Sequence, residues 1–293
     1  MDNEINQALT KINNDKDWTT IIKPRTGWFD INLRELWLYR DLIKIFVYRD
    51  FVVYYKQTIL GPIWFLIKPL FTTLVFTLVF SNIAKIPTDT IPPLLFYMAG
   101  TVTWNYFSTC LNSTSNTFVT NQGIFGKVYF PRMVVPISVV ISQLIQFFIQ
   151  FGLFLGFFVY FLLKGAPIVP SWLILILPVL VVQMAALGLG FGMIVSSLVT
   201  KYRDLTFLME FAVQLWMYAT PIVYPVSQIP VQWRFWYSLN PMVSVVELFR
   251  MAFFGVSAFS WNLYFVSVLV TAMVLIFGVI IFSKVEKSFM DTV

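Results

Sequence analysis

The amino-acid sequence predicts an all-α integral membrane protein: six transmembrane helices, an N-terminal amphipathic interface helix, and re-entrant helices between spans five and six. Three observations predict it. The 293 residues are 58% hydrophobic and 12% charged, with a mean hydropathy of +0.78, against roughly half apolar and a quarter charged in soluble domains. Apolar stretches recur at the length a bilayer crossing demands, about 20 residues. Lysines and arginines gather on one side of those stretches.

Residues 1–29 are polar, rich in Asn, Asp and Lys, and read as a cytosolic tail. Asp2, Glu4, Asp15 and Asp17 stand where a cleaved signal peptide would need a basic patch, so none is expected. Residues 30–61 read as the interface helix and a gate junction. Arg34, Glu35, Arg40, Asp41, Lys44, Arg49, Asp50 and Lys56 mix with Leu, Ile and Val, and no sharp amphipathic stripe separates them. Trp37, Tyr39, Tyr48, Tyr54 and Tyr55 suit the headgroup layer. Within Tyr55–Leu70 this charged segment becomes a span, with Gly61-Pro62 as the hinge: glycine tolerates unusual backbone angles and proline fits a helix's first turn.

Residues 62–293 read as the membrane domain, with spans at roughly 62–83, 94–116, 133–163, 172–199, 206–224 and 261–283. The third exceeds one crossing, so it is expected to tilt, break near Pro136 or extend beyond the lipid. Between spans five and six, Pro225, Pro230 and Pro241 interrupt runs too short to cross. Two short re-entrant or interfacial helices fit there if protein buries them. With the N-terminus inside, fifteen Lys and Arg fall on the cytoplasmic side: nine before span one, then Lys127, Arg132, Lys201, Arg203, Lys284 and Lys287. Lys85, Lys164, Arg234 and Arg250 fall outside and Lys68 within span one. The bias predicts both termini in the cytoplasm, and it accounts for the net charge of +6 without invoking nucleic acid.

Histidine is absent and Cys110 is the single cysteine. That removes the commonest general base and metal ligand, thiolate clusters and Cys–His pairs, so no catalytic or metal site is expected in this chain. No GxxxxGK[ST] phosphate loop occurs; Gly123-Ile-Phe-Gly-Lys127 has the wrong spacing. Active transport would need an ion gradient or a separate ATPase. The only charges inside spans, Lys68 and Glu210, lie near the inner ends of theirs, where snorkelling explains them. Gly152-x-x-x-Gly156 and Gly188-x-Gly-x-Gly192 read as close helix packing, and Cys110 as a small buried residue.

Tyr55-Lys-Gln-Thr-Ile-Leu-Gly61 followed by Trp64 and Pro69-Leu70, then Thr220-Pro-Ile-Val-Tyr-Pro225 and Asn240-Pro241, resembles the ABC-2 type permeases of bacterial polysaccharide exporters. These serve O-antigen, capsule and teichoic acid export. The resemblance covers nearly the whole chain, and Ile22-Lys-Pro-Arg-Thr-Gly-Trp-Phe-Asp30 looks like the O-antigen type. Lys68 departs from the mostly neutral residues of the family at that place. The resemblance implies a multi-pass permease of the bacterial inner membrane that pairs as a homodimer around a channel. Two copies of a cytosolic ABC ATPase would bind ATP and Mg, and the cargo would be a polyprenyl-diphosphate-linked glycan entering from the surrounding lipid.

For site residues, the resemblance implies a coupling helix at about Phe118–Arg132, with Gly123, Gly126, Lys127 and Arg132 docking on the ATPase. Sugar rings carry apolar C–H faces that lie on aromatic rings, so aromatic walls would let a polymer slide. Trp64, Phe71, Tyr97, Trp104, Tyr106, Phe107, Trp216, Tyr218 and Tyr224 are the candidates. Arg49, Lys56 and Lys68 are candidates for diphosphate entry, against the alternative of binding anionic headgroups. Glu247 and Arg250, one helical turn apart, are an expected pair at the outer mouth. The rival reading is an ABC-2 exporter of drugs or small hydrophobic molecules. A membrane glycosyl- or acyltransferase is disfavoured by the missing histidine and paired acids.

Overall fold

The computed structural model describes residues 33–56, 60–202, 204–257 and 259–292, which are helical with connecting loops and no strand. The 1–29 tail, the Ile22–Asp30 stretch, residues 57–59 of the gate junction and Arg203 lie outside the described residues.

The interface helix comes in two pieces, α1 (Leu33–Leu38) and α2 (Arg40–Lys56), separated by a turn at Tyr39. On α2, Lys44 reaches Asp41 at 2.8 Å. The ammonium holds that carboxyl below its usual range, but water and salt screen an exposed pair of this kind, so it adds little to stability. Docking of α2 comes from its other face. Phe46 is buried with its ring 5.8 Å from Phe130, and Ser142 donates to Asp50 at 3.3 Å. The chain resumes in a 3₁₀ turn at Gly61–Ile63, where Gly61 has φ +51° and Pro62 sits at the helix start, as a glycine–proline hinge requires.

Helix α3 (Trp64–Phe76) continues into a π-helical stretch, Thr77–Ile83. Next come α4 (Pro93–Ser115), the short α5 (Thr117–Phe125), and α6 (Val134–Leu163), which runs 30 residues. Pro136 does not break α6, because it lies in the first turn where no intrahelical N–H bond is lost. A 3₁₀ turn at Trp172–Ile176 leads into α7 (Leu177–Val199), followed by α8 (Leu205–Tyr218). The proline-interrupted region forms two short helices, α9 (Val231–Ser238) and α10 (Pro241–Phe254), before α11 (Trp261–Thr292).

Four stretches among the described residues are long and apolar enough to cross a bilayer: Gly61–Ile83, Val134–Leu163, Trp172–Val199 and Trp261–Glu286. The other two expected spans differ from these for separate reasons. Helix α4 has 23 residues but carries many hydroxyls and amides, and α8 is apolar but has only 14 residues, about 21 Å of helix.

The bundle closes on glycine. A Cβ at Gly188 would lie 2.6 Å from the Cys110 Cβ, and one at Gly192 would lie 2.5 Å from the Thr114 Cβ, so both glycines let α7 touch α4. Gly190 faces the opposite way, where a Cβ would come 2.9 Å from Leu275 on α11, and Gly278 approaches the Gly190 carbonyl. Packing at Gly188-x-Gly-x-Gly192 is therefore as the sequence predicts. Gly152-x-x-x-Gly156 is a correction: among the described residues nothing lies within 4 Å of a Cβ at either position, so these glycines make no close helix contact there.

Candidate functional site

Helix α10 is the most enclosed element. Every residue from Pro241 to Phe254 except Met251 is buried, although 14 residues are too few to cross the lipid. A helix buried this way must satisfy its end groups without water. At its start Asn240 accepts from the Met242 amide at 3.1 Å, and its own amide donates to the Ala219 carbonyl (3.1 Å) and the Thr220 hydroxyl (3.0 Å). At its end the amides of Ser171 and Val169 donate to the carbonyls of Ala252 and Phe254, and Gly255 closes the turn at φ +72°. The two proline motifs, 220–225 and 240–241, are thus clamped to each other through Asn240. Asn240→Ala removes the cap and the clamp together, and should lower stability by about 0.5–2 kcal/mol, read as an earlier thermal transition of the detergent-purified protein.

A charged pair is walled in beside that clamp. Arg250 is 2% exposed and Glu247 5%; their side chains approach to 3.5 Å. Arg250 also donates to the carbonyls of Ile222 (3.1 Å) and Phe96 (3.3 Å) and stacks over the Phe96 ring at 3.6 Å. Ser257 donates to the other Glu247 oxygen at 2.7 Å. Gly100 supplies the room, since a Cβ there would come within 3.3 Å of the guanidinium. The expected pair is present, but Arg250 is an interior residue rather than an outer-loop cation. It ties α4 and the 220–225 loop to α10.

The aromatic candidates fall into two groups. Tyr97, Trp104, Tyr106 and Phe107 are buried. Tyr97 packs on Phe76 and Phe96, Tyr106 on Phe147, and Trp104 and Phe107 on Trp216, with ring centroids 5.2–6.3 Å apart. Their ring faces are occupied by their own chain. Trp216 is partly buried in that same cluster against Phe191. Tyr224 donates to the Tyr218 carbonyl and accepts from the Tyr237 hydroxyl. Open surface remains at Trp64 (47% exposed), Phe71 (62%) and Tyr218 (44%). Trp64, Lys68 and Phe71 are spaced i, i+4, i+7 and so share one face of α3.

Of the three candidate entry cations, Arg49 is engaged: two guanidinium nitrogens donate to Asp50 at 2.8 and 3.0 Å, and its plane covers Phe46. Lys56 and Lys68 are exposed on α2 and α3. In the stretch expected to dock on an ATPase, Gly123, Gly126 and Lys127 are exposed alongside Val128 and Tyr129. Arg132 points inward instead, its amide and guanidinium donating to Glu286 at 3.0 and 2.7 Å. It pins the start of α6 to the far end of α11.

Two features escaped the sequence reasoning. Phe207 and Phe211 stand exposed on α8 at i, i+4, i+11 with Tyr218; that spacing was there to be read. On α4, Asn105, Ser108, Thr109, Asn112 and Ser113, with Asn116 at its C-terminal cap, form a half-exposed polar stripe, hidden in the sequence by the apolar residues between them.

Long apolar helices packed on glycine, around a short helix whose ends and charges are satisfied internally, define a multi-pass helical membrane protein. The family can be stated as well: the chain belongs to the ABC-2 type transporter family, whose model matches residues 41–254. It is similar to the O-antigen export system permease protein RfbA of Myxococcus xanthus, at 30% identity over 76% of this chain and 84% of the relative. Two such permeases of Klebsiella pneumoniae are 28% and 26% identical, each over 86% of this chain and 94% of the relative.

Proposed function

We propose that the chain is the membrane subunit of an ATP-driven exporter carrying a lipid-linked, O-antigen-like polysaccharide outward across a bacterial inner membrane. Two copies form the channel, and two copies of a cytosolic ABC ATPase, which hold ATP and Mg, dock beneath. In this reading α4 and α8 complete six spans, α9 and α10 are the re-entrant pair, and both termini are cytoplasmic. The exposed end of α5 and the turn after it, with Gly123, Gly126, Lys127 and Tyr129, are the ATPase docking surface, and Arg132 holds them to α11. Lys56 and Lys68 meet the polyprenyl diphosphate at the inner leaflet.

One observation carries the reading. In a chain similar to O-antigen export permeases over most of its length, α3 leaves Trp64 and Phe71 open on a single face, beside Lys68. Rings on one helical face give a polymer a low-friction, sequence-tolerant wall. Two lines of evidence test it. Deleting the gene should strand lipid-linked polymer on the cytoplasmic side while synthesis continues. Replacing both Trp64 and Phe71 by Ala should slow polymer export about tenfold with the ATPase subunit still recovered in normal amount. Unchanged surface polysaccharide, with raised drug sensitivity, would replace this reading by small-molecule export.

A further inference from the structure

We infer that the polar stripe of α4, joined by Gln146 of α6 and backed by the buried Gln143 and Gln150, forms a seam that binds the hydroxyls of an uncharged sugar polymer within the membrane. The inference rests on the export reading above. Asn105, Ser108, Thr109, Asn112 and Ser113 recur at helical spacing on one face of α4, and Asn116 continues the row at its C-terminal cap. All six are half-buried rather than enclosed.

Facing them, α6 brings a second polar row. The Asn105 amide donates to the Gln150 carbonyl oxygen at 3.2 Å, which fixes how the two packed helices align. Seven residues on from Asn105 lies Asn112, and seven back from Gln150 lies Gln143; each step covers about 10 Å of axis. Thr109 and Gln146 match in the same way. Helix α3 packs against both α4 and α6, and its Thr73 meets Thr101 at 3.3 Å, just above the stripe.

The seam is under-satisfied in its own chain. Gln150 is 1% exposed, yet its amide nitrogen has no partner. The side chains of the half-buried Asn112, Ser113 and Gln146, and that of Gln143, which is 6% exposed behind them, make no hydrogen bond among the described residues. The hydroxyls of Ser108 and Thr109 donate back to the Asn105 carbonyl, at 3.2 and 2.6 Å, which leaves their lone pairs free to accept. Amides in this state cannot face hydrocarbon, which offers an unmet polar group no partner. They need water or a polar cargo.

The chemistry of the row selects the cargo. It has donors and acceptors throughout and no charge, so it suits neutral hydroxyls and ring oxygens rather than a diphosphate, for which Lys56 and Lys68 are the better groups.

Cysteine labelling tests the seam in vesicles holding the full permease–ATPase complex. Cys110 is buried and serves as the silent background. Ser113→Cys is nearly isosteric, so folding is retained, and Asn112→Cys is its neighbour. A small hydrophilic maleimide should label both. Polyprenyl-diphosphate-linked polysaccharide extracted from the host should slow labelling about tenfold, the effect of roughly one or two hydrogen bonds, while polyprenyl diphosphate alone should not. Labelling that the glycolipid leaves unchanged means a water-filled crevice and overturns the inference; absence of labelling means a packed seam or a second copy, and also overturns it. Glycolipid export is measured for the unsubstituted complex in parallel vesicles and for each variant in its own. Export with unprotected cysteines sinks the seam alone, whereas no export sinks the reading beneath it.

Discussion

Glu247→Leu should remove the folded protein from the membrane. The substitution leaves Arg250 charged, 2% exposed and without its carboxylate, and breaking one side of a buried ion pair costs about 3–5 kcal/mol. That is a large part of the roughly 5–15 kcal/mol by which folded proteins are stable. It also frees Ser257 from its 2.7 Å bond to Glu247. Leucine at both positions removes the charge along with its partner, so the double variant should recover part of the loss. Recovery stays incomplete, because the carbonyls of Phe96 and Ile222 lose their guanidinium donor. The measurement is the yield of monodisperse protein after solubilisation and mild heating. Equal yields for the single variant and the parent would mean that Glu247 and Arg250 do not hold α10 in place.

Gly192→Leu should be nearly as damaging, and Gly152→Leu should be harmless. At Gly192 even a methyl group collides with Thr114 at 2.5 Å and with the Leu111 carbonyl at 3.0 Å. Backbone atoms cannot rotate aside, so α7 and α4 must separate. Overpacking of this kind costs about 1–3 kcal/mol or more, and here it also opens the contact that seats Cys110. At Gly152 nothing lies within 4 Å, and the expected change is within about 0.5 kcal/mol. Thermal transitions of the two variants, compared side by side, check the contrast. A loss at Gly152 matching that at Gly192 would show that another surface covers α6.

That pair also marks where the sequence stops being informative. Gly152 and Gly188 open the same small-xxx-small pattern, and the pattern carries no record of what stands opposite. Long-range placement alone separates a glycine pressed on Cys110 from one facing open space. Helix positions were far more legible, since apolar runs report burial or lipid directly: the span expected at 133–163 is α6 at 134–163, and the two helices expected between residues 225 and 260 are α9 and α10. Aromatic roles were not legible. Trp64 and Trp104 have identical side chains, but one is open and the other is locked against Phe107 and Trp216. Arg250 was miscounted as a loop cation because positive-inside counting takes loops by position and cannot see a short buried helix. Asn240 was recognisable as part of a motif, while its bond to Thr220, twenty residues earlier, depends on the fold.

The central claim is that this chain moves a lipid-linked polysaccharide with energy from a partner ATPase. It is tested most directly by purifying the protein in mild detergent from its native host, identifying the copurified subunit and any bound glycolipid by mass spectrometry, and reconstituting that preparation into vesicles. An ABC ATPase should copurify, and ATP should drive the host's polyprenyl-linked polysaccharide across the bilayer. A permease recovered alone, or a complex that hydrolyses ATP without moving the glycolipid, would contradict the account.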